Sequence, residues 1–429
     1  MERLRIERLA HGGDGVASLP SGKTVFVAAT APGDLVDAEL FEEKARSARG
    51  RLVSVLEPGP ERVTPRCRHV EACGGCQLQH LSRGAQEAAK EAAFYDALER
   101  LGGVPRASIG EALPIVPSPT VLRYRIRCSL RVEGSQAGYH GRRSHSLVRL
   151  EECLLLEEPL EKLALALVSA LAERSVPGLT GLELCIGADG AGSVLLSIGN
   201  TQGGAAQRRA QELLGSIPGL AGIVLQAPGT PPRLLGEPVV HRPAPSAPGV
   251  ALLGRADLFA QANAAGSERL VGLVLDALAP AGGDEAIELH AGAGTFTFGL
   301  ARRAGKVTAV EQAGPALELC RRAATQSGVG NLRLLAGDAA PLCRALAGEG
   351  RRFSVALLDP PRAGAQELPA ALAALGPERI AYVSCEPSTL ARDVRAFVAL
   401  GYRVARAAPV DMFPQTYHVE GFVLLTRTG

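Results

Sequence analysis

The chain has no tryptophan, only two methionines and five lysines, and aromatic residues make up 4% of its 429 positions. Scarce lysine is not scarce positive charge: 41 arginines bring the basic total to 46 against 44 acids, a net charge of +2. So small a surplus excludes a histone-like or tail-driven nucleic-acid binder, though not a local basic stripe. Arginine in place of lysine, with abundant alanine, glycine and proline, reads as the imprint of a GC-rich coding sequence. No apolar run approaches the roughly 18 residues that a membrane helix needs. The opening MERLRIERLA alternates charge with aliphatic residues and lacks the hydrophobic region of a secretion signal. A cytoplasmic protein with no membrane partner is therefore expected. Nine cysteines are too sparse, and too odd in number, for a disulfide scaffold. In a reducing compartment, a clustered subset of them reads as metal-binding or catalytic.

What remains is an ordinary globular composition, 46% hydrophobic. At roughly 100–200 residues per domain, the length suggests about two to four domains. Residues 1–57 show short alternating strands broken by glycine turns (His11–Gly15, Pro32-Gly33-Asp34), the pattern of a small β-barrel. Residues 58–115 hold a cysteine cluster and then a run of helix formers over 84–101, ended by Gly102-Gly103. Residues 116–250 read as a central β-rich domain, closing with seven prolines between Pro228 and Pro248 that suggest an exposed hairpin or linker. From 251 to 429, apolar runs at 286–289, 307–310, 332–335, 355–358 and 380–384 alternate with helical segments. That is the signature of a parallel, doubly wound α/β sheet. The whole is a multidomain α/β protein.

Three groups of residues carry chemistry. Cys67, Cys73 and Cys76 lie within ten residues, with Gly74-Gly75 between the last two, and Cys153 follows far downstream. Four thiolates suit tetrahedral zinc or a four-iron cluster. Three close cysteines plus a distant one, rather than two CxxC pairs, favours iron–sulfur. The second group is Glu288–Phe296, a strand-to-helix turn with Gly292 and Gly294 but Thr297 where a dinucleotide fingerprint needs its third glycine. Glu311 ends the next strand, placed to accept ribose hydroxyls, and Asp338 ends the one after, placed to bind an adenine amino group. Acids at successive strand ends without a pyrophosphate anchor fit S-adenosylmethionine better than NAD.

The third group is Asp359-Pro360-Pro361-Arg362, Ser384-Cys385-Glu386-Pro387 and Glu420. A strand-tip thiol and a carboxylate are what methylation at pyrimidine C5 requires. Thiolate addition at C6 makes C5 nucleophilic, and a base later removes the C5 proton so that the thiol can leave. In addition, residues 121–150 hold seven arginines (Arg123, Arg125, Arg127, Arg131, Arg142, Arg143, Arg149) against one acid, Glu133, with Tyr124, Tyr139, His140 and His145 interleaved. Arg123, Arg125 and Arg127 alternate as though sharing one strand face, which suits phosphates and unpaired bases.

The segments CGGCQLQH, DPPRAG, VSCEPSTLARD and DMFPQTYHVE resemble the RNA 5-methyluridine methyltransferases, in order and over nearly the whole chain. The N-terminal barrel resembles their RNA-binding TRAM domain. The TRAM and four-cysteine layout is similar to the branch that methylates 23S ribosomal RNA. The resemblance implies a class I (Rossmann-like) methyltransferase fold over 251–429 and a [4Fe-4S] cluster on Cys67, Cys73, Cys76 and Cys153. It implies an S-adenosylmethionine site lined by Gln261, His290, Thr295, Glu311, Asp338 and Asp359, with Cys385 as nucleophile and Glu420 as proton acceptor. It also implies that the 84–101 helix packs on the catalytic domain. RNA is the implied partner, 23S rRNA first and tRNA uridine 54 as the alternative; no DNA contact is expected. The chain departs from the family pattern at Glu386, where asparagine is usual, at His290-Ala291, where an aromatic-cysteine pair is usual, and at Thr295 in place of asparagine. A carboxylate at 386 is placed to raise the thiol's pKa or alter base contacts. A non-catalytic RNA-binding or ribosome-assembly factor and a cluster-based redox enzyme are the competing readings. Joint retention of Cys385, Glu420, Asp359 and Glu311 opposes the first, and the lack of a flavin or complete NAD fingerprint opposes the second.

Overall fold

A computed structural model describes residues 1–199 and 203–428. Between Glu2 and Glu57 six strands form one sheet. Period-2 burial sends Leu4, Val25, Val27, Val36 and Ala38 to one shared core. Asp34, fully buried, accepts hydrogen bonds from the backbone N–H groups of Ala31 and Gly59 and from Arg62. It thereby fastens this sheet to the segment that follows.

From 61 to 82 no regular strand or helix forms; isolated bridges join Arg62 to Leu81 and Cys73 to Gly141. The helix Arg83–Arg100 then starts on a Ser82 side-chain cap to Ala85 N–H. Its buried residues Gln86, Lys90, Phe94 and Leu98 recur every four positions, which places them on one face. Phe94 and Leu98 enter the core that also holds Leu390, Val394 and Phe397, so the helix packs on the catalytic domain.

The central region is a seven-stranded sheet covered by the helices Glu158–Glu173 and Gly203–Ser216. Of hairpin and linker, the proline-rich stretch is the hairpin and not a linker: Val240–Pro243 pairs with Ala251–Gly254, and Arg233–Gly236 extends the central sheet at its edge. The boundary at 250/251 thus falls inside a hairpin, because prolines here punctuate turns and edge strands rather than flexible chain. Nor do Arg123, Arg125 and Arg127 share a strand face. Regular strand begins only at Arg127, and Arg123 sits at φ +54°.

The catalytic sheet runs, from one edge, Leu332–Ala336, Lys306–Glu311, Glu285–Leu289, Val355–Leu358, Arg379–Ser384, Glu420–Arg427, Tyr402–Val410 and, as an eighth strand, Glu111–Ala112. The first five are parallel; Glu420–Arg427 is antiparallel to both its neighbours. The strand order reverses between Glu285–Leu289 and Val355–Leu358. Ligands of open α/β sheets bind beyond the carboxyl ends of the strands at such a reversal. No helix among the described residues is long and apolar enough to cross a membrane.

Candidate active site

The register of the catalytic sheet builds the site. Ser384 pairs with Gly421, so one step further along the antiparallel ladder Cys385 comes to face Glu420. Gly421 has no room for a side chain: a Cβ there would stand 2.6 Å from the Phe94 ring and 2.7 Å from Leu390. Glu420 is 2% exposed, whereas Cys385 is only partly buried. Burial, then the Glu420 carboxylate, push the Cys385 thiol up to about 11, and the Arg362 guanidinium pulls the other way. Burial and the nearby Asp359 hold Glu420 well above the usual carboxylate range, again opposed by Arg362. Asp359, at the end of its strand, is pushed up to about 7 by burial and accepts a hydrogen bond from Gln261 Nε2 (3.3 Å).

The expected influence of Glu386 on the thiol is not found. Its carboxylate turns away to accept hydrogen bonds from Ser388 Oγ (2.7 Å) and Ser388 N–H (3.4 Å), capping the helix Pro387–Ala399. It also faces His11 Nε2 of the N-terminal sheet at 4.0 Å. Position 386 is an N-cap, and a side-chain acceptor there serves the helix first.

The remaining acids gather where the first three parallel strands end. Glu311 accepts hydrogen bonds from Gly292 N–H (2.8 Å) and Ala313 N–H (2.7 Å). Asp338 caps the helix Ala339–Gly348 and stays exposed. His290 sits at φ +62°; burial lowers its pKa while Glu311 and Asp338 oppose the shift, so the three groups share one corner. Gly294 lies at φ +105°, and a Cβ there would meet Phe298 at 2.6 Å. Thr295 and Gln261 line one small cavity with Ala293 and Phe259. Sequence reasoning passed over Arg362 as a site residue. Its signal was available in the Asp-Pro-Pro-Arg run at a strand's carboxyl end.

Cys67, Cys73, Cys76 and Cys153 all line a single cavity of about 420 Å³, whose wall also includes Gln261, Arg362 and Phe413. Burial pushes the Cys76 thiol up to about 12, and the charges of Cys153, Cys73 and Cys67 add to the effect. Among the described residues no three His, Cys, Asp or Glu side chains stand close enough to hold one metal ion. Four thiols facing one cavity are a donor set that either a four-iron cluster or zinc would take. Cys128, Cys185, Cys320 and Cys343 are buried, and Cys128 also lines the cysteine cavity.

The arginine stripe divides. Arg123 pairs with Glu161 and donates to the Leu156 carbonyl; Arg127 donates to the carbonyls of Leu258 and Ala260. Tyr124 is buried, its Oη donating to the Pro414 carbonyl. Arg123 thus braces the central domain, while Arg127 and Tyr124 tie it to the methyltransferase domain. Arg143 pairs with Asp14 of the N-terminal sheet, and Arg131 and Arg149 remain exposed.

The strand order, the acids at successive strand ends and the thiol facing a buried carboxylate define a class I methyltransferase fused to a small β-domain. A family model described as tRNA (Uracil-5-)-methyltransferase matches residues 254–428, and one for the TRAM domain matches residues 2–53. Among curated relatives, a 23S rRNA (uracil(1939)-C(5))-methyltransferase from Pseudomonas putida is 34% identical, covering 99% of this chain and 93% of its own. The protein of the same description from Vibrio cholerae is 32% identical over 99% and 96%. Among solved structures, the Pyrococcus abyssi tRNA (uracil-54, C5)-methyltransferase in complex with S-adenosyl-L-homocysteine superposes with a TM-score of 0.75. It covers 99% of this chain and 100% of its own at 24% identity, a likeness of fold. The chain belongs to the RNA uracil-C5 methyltransferase family, whose members take their methyl group from S-adenosylmethionine.

Proposed function

We propose that the protein methylates C5 of a uridine in 23S ribosomal RNA, with Cys385 as nucleophile and Glu420 as proton acceptor. The observation that carries this reading is the thiol–carboxylate pair that the strand register creates at the cleft, in a chain alike over 99% of its length to 23S rRNA enzymes. S-adenosylmethionine supplies the methyl group as an electrophile. Its holders are Gln261, His290, Thr295, Glu311, Asp338 and Asp359. Glu311 and Asp338 suit ribose and adenine donors, and Gln261 and Asp359 the side nearer the thiol.

The Cys385 thiolate adds to C6 of the target ring, and the electron pair moves toward C5, which takes the methyl group. The Glu420 carboxylate then accepts the C5 proton. The pair left behind expels the Cys385 sulfur and restores the double bond. Both groups must be ionised to act, and burial raises both. Activity therefore falls as pH drops below neutrality and rises toward the alkaline side. Arg362 favours the ionised forms of both. Cys67, Cys73, Cys76 and Cys153 are the ligands we assign to a [4Fe-4S] cluster. It is structural, because each iron carries a cysteine and no open position remains. RNA engages the TRAM domain and the exposed arginines Arg131 and Arg149.

The test is methyl transfer from labelled S-adenosylmethionine to 23S rRNA and to tRNA, with the modified base identified as 5-methyluridine, on anaerobically purified protein whose iron and zinc are measured. Label in 23S rRNA with about four irons per chain is expected. Label in tRNA alone would replace the substrate, and stoichiometric zinc would replace the cluster.

A further inference from the structure

The loop that carries Arg362 is strapped to the helix following the nucleophile. Asp393, 1% exposed, accepts a hydrogen bond from Ala365 N–H (2.6 Å) and another from Tyr382 Oη (2.7 Å), on the strand that ends in Ser384. Its other oxygen accepts from Arg392 Nε (2.8 Å). Arg392 Nη2 in turn donates to the Ala363 carbonyl (3.0 Å), and Thr389 Oγ1 donates to the carbonyl of Arg362 itself (3.1 Å). Gly364, at φ +76°, lies directly beneath: a Cβ there would stand 2.4 Å from Arg392 Nη2 and 2.7 Å from Asp393 Oδ2. Three residues of one helix thus seize three consecutive links of the Arg362–Ala365 turn. The Arg362 side chain itself is exposed and joins no ion pair among the described residues; it lies within reach of the Cys385 thiol, while Thr389 holds its backbone carbonyl.

We infer that Asp393, with Thr389 and Arg392, is a positioning residue for methyl transfer: by holding the Arg362–Ala365 turn to the nucleophile's strand and helix, it keeps the Arg362 guanidinium over the Cys385–Glu420 pair. The inference rests on the assignment of Cys385 as nucleophile. The groups facing the thiol are Glu420 from the last strand and Asp359 and Arg362 from the loop. Arg362 is the cation among them, so displacing it leaves the thiol with two carboxylates and no counter-charge. Asp393 touches no reacting atom; it acts through the turn.

The readout is the pH dependence of Cys385 alkylation by iodoacetamide on the full chain, followed by mass spectrometry of the Cys385 peptide. Arg362→Gln should slow alkylation at pH 8 by about threefold or more, as expected for a thiol pKa raised by about half a unit. Asp393→Asn should slow it in the same direction. The double variant should be no slower than Arg362→Gln alone, because both changes remove one effect. Should Asp393→Asn fail to fold, Thr389→Val removes the hydroxyl shared between the carbonyls of Arg362 and Glu386 (both 3.1 Å) and should give a smaller shift of the same sign. A single variant that melts at lower temperature yet alkylates with the wild-type pH profile would overturn the inference, and so would additive slowing in the double variant. Alkylation needs neither RNA nor methyl donor. A chain that fails to methylate RNA while showing these shifts would refute the proposed function and leave standing only the hold of Asp393 on Arg362 and the thiol, not a role in methyl transfer.

Discussion

The catalytic cleft and the cysteine cavity share residues such as Gln261 and Arg362 but are built in opposite ways. The catalytic cleft rests on strand ends: Asp359, Cys385 and Glu420 each follow or begin a strand whose ladder is paired on both sides. Their separation is fixed by sheet spacing and a core of fully buried side chains such as Leu357, Val383 and Phe422. The cysteine cavity has no such frame. Three of its four thiols lie on a segment without regular strand or helix, anchored by the few buried contacts of Ala31, Leu78 and Leu81. The cleft is preorganised by the fold, as a site must be to stabilise a transition state. The cysteine loop is held instead by scattered hydrogen bonds, such as Gly74 N–H to the His140 carbonyl and Arg142 Nη2 to the Cys76 carbonyl. The joint between them is the segment 411–418. Its Gln415 carbonyl accepts from the N–H groups of Gln77 and Leu78 (both 3.0 Å), just past Cys76, and Glu420 begins two residues after the segment ends.

The comparison breaks most visibly at the chemistry. Cys385→Ala should lose methyl transfer by on the order of 10⁴-fold or more while melting like the wild type, because a strand-borne cleft does not depend on its thiol. Glu420→Gln should add and methylate, then stall before elimination, and accumulate a protein–RNA species that survives denaturing gels. A Glu420→Gln enzyme that turns over freely, with no trapped RNA, would remove Glu420 from the role of base. Cys153→Ser should behave in the reverse sense, losing folded yield and bound iron before it slows the chemical step of what remains folded.

The next largest effect lies at the joint. Lys90, on the helix Arg83–Arg100, is 1% exposed; its Nζ donates to Asp411 Oδ1 (2.5 Å) and to the Phe413 carbonyl (2.9 Å). Burial lowers the Lys90 pKa and raises that of Asp411, each opposed by its partner. Breaking such a pair from one side strands a charge in the interior, at a cost of about 3–5 kcal/mol. Lys90→Met should therefore destabilise strongly in urea melts, and Lys90→Met with Asp411→Leu should recover much of the loss. If the double variant is no better than the single one, Lys90 holds the helix through packing of its stem rather than through its charge.

How far the sequence reaches follows the same division. The parallel strands were legible because buried strands in such sheets are rich in apolar residues: Val355–Leu358 is wholly apolar, and Ala286–Leu289 and Val307–Val310 are interrupted only by Glu288 and Thr308. The facing of Cys385 and Glu420, far apart in the chain, was available only through resemblance, since register across a sheet leaves no local trace. The convergence of Cys153 on the other three cysteines was suggested by residue type, not by any periodicity. The arginine stripe misled because alternation alone cannot tell a strand face from a turn. Arg123 at φ +54° and Arg127 bonded to two carbonyls are structural despite their spacing. The Asp359–Arg362 run was visible in the sequence, but the hydrogen bonds that tie its turn to Asp393 were not, because Arg362 and Asp393 are thirty-one positions apart.

The smallest effect concerns Glu386, the residue by which this chain departs from its family beside the nucleophile. Its carboxylate caps a helix through Ser388 and meets His11 across the boundary with the N-terminal sheet at 4.0 Å, both partners substantially exposed. Exposed pairs of this kind contribute about 0–1 kcal/mol and weaken with salt. Asparagine caps a helix as well as an acid does. Glu386→Asn should thus melt within about 1 kcal/mol of the wild type and leave the pH profile of Cys385 alkylation unchanged, since the charges that act on the thiol are Glu420, Asp359 and Arg362. Its one visible consequence should be in RNA binding. Without the contact to His11, the TRAM turn is less firmly held over the cleft, and KM for RNA should rise modestly at low salt and converge on the wild-type value as salt screens the pair. A shift of the alkylation midpoint toward lower pH in Glu386→Asn would show instead that the carboxylate does reach the thiol, and the cleft would then be tuned from its cap as well as from its strands.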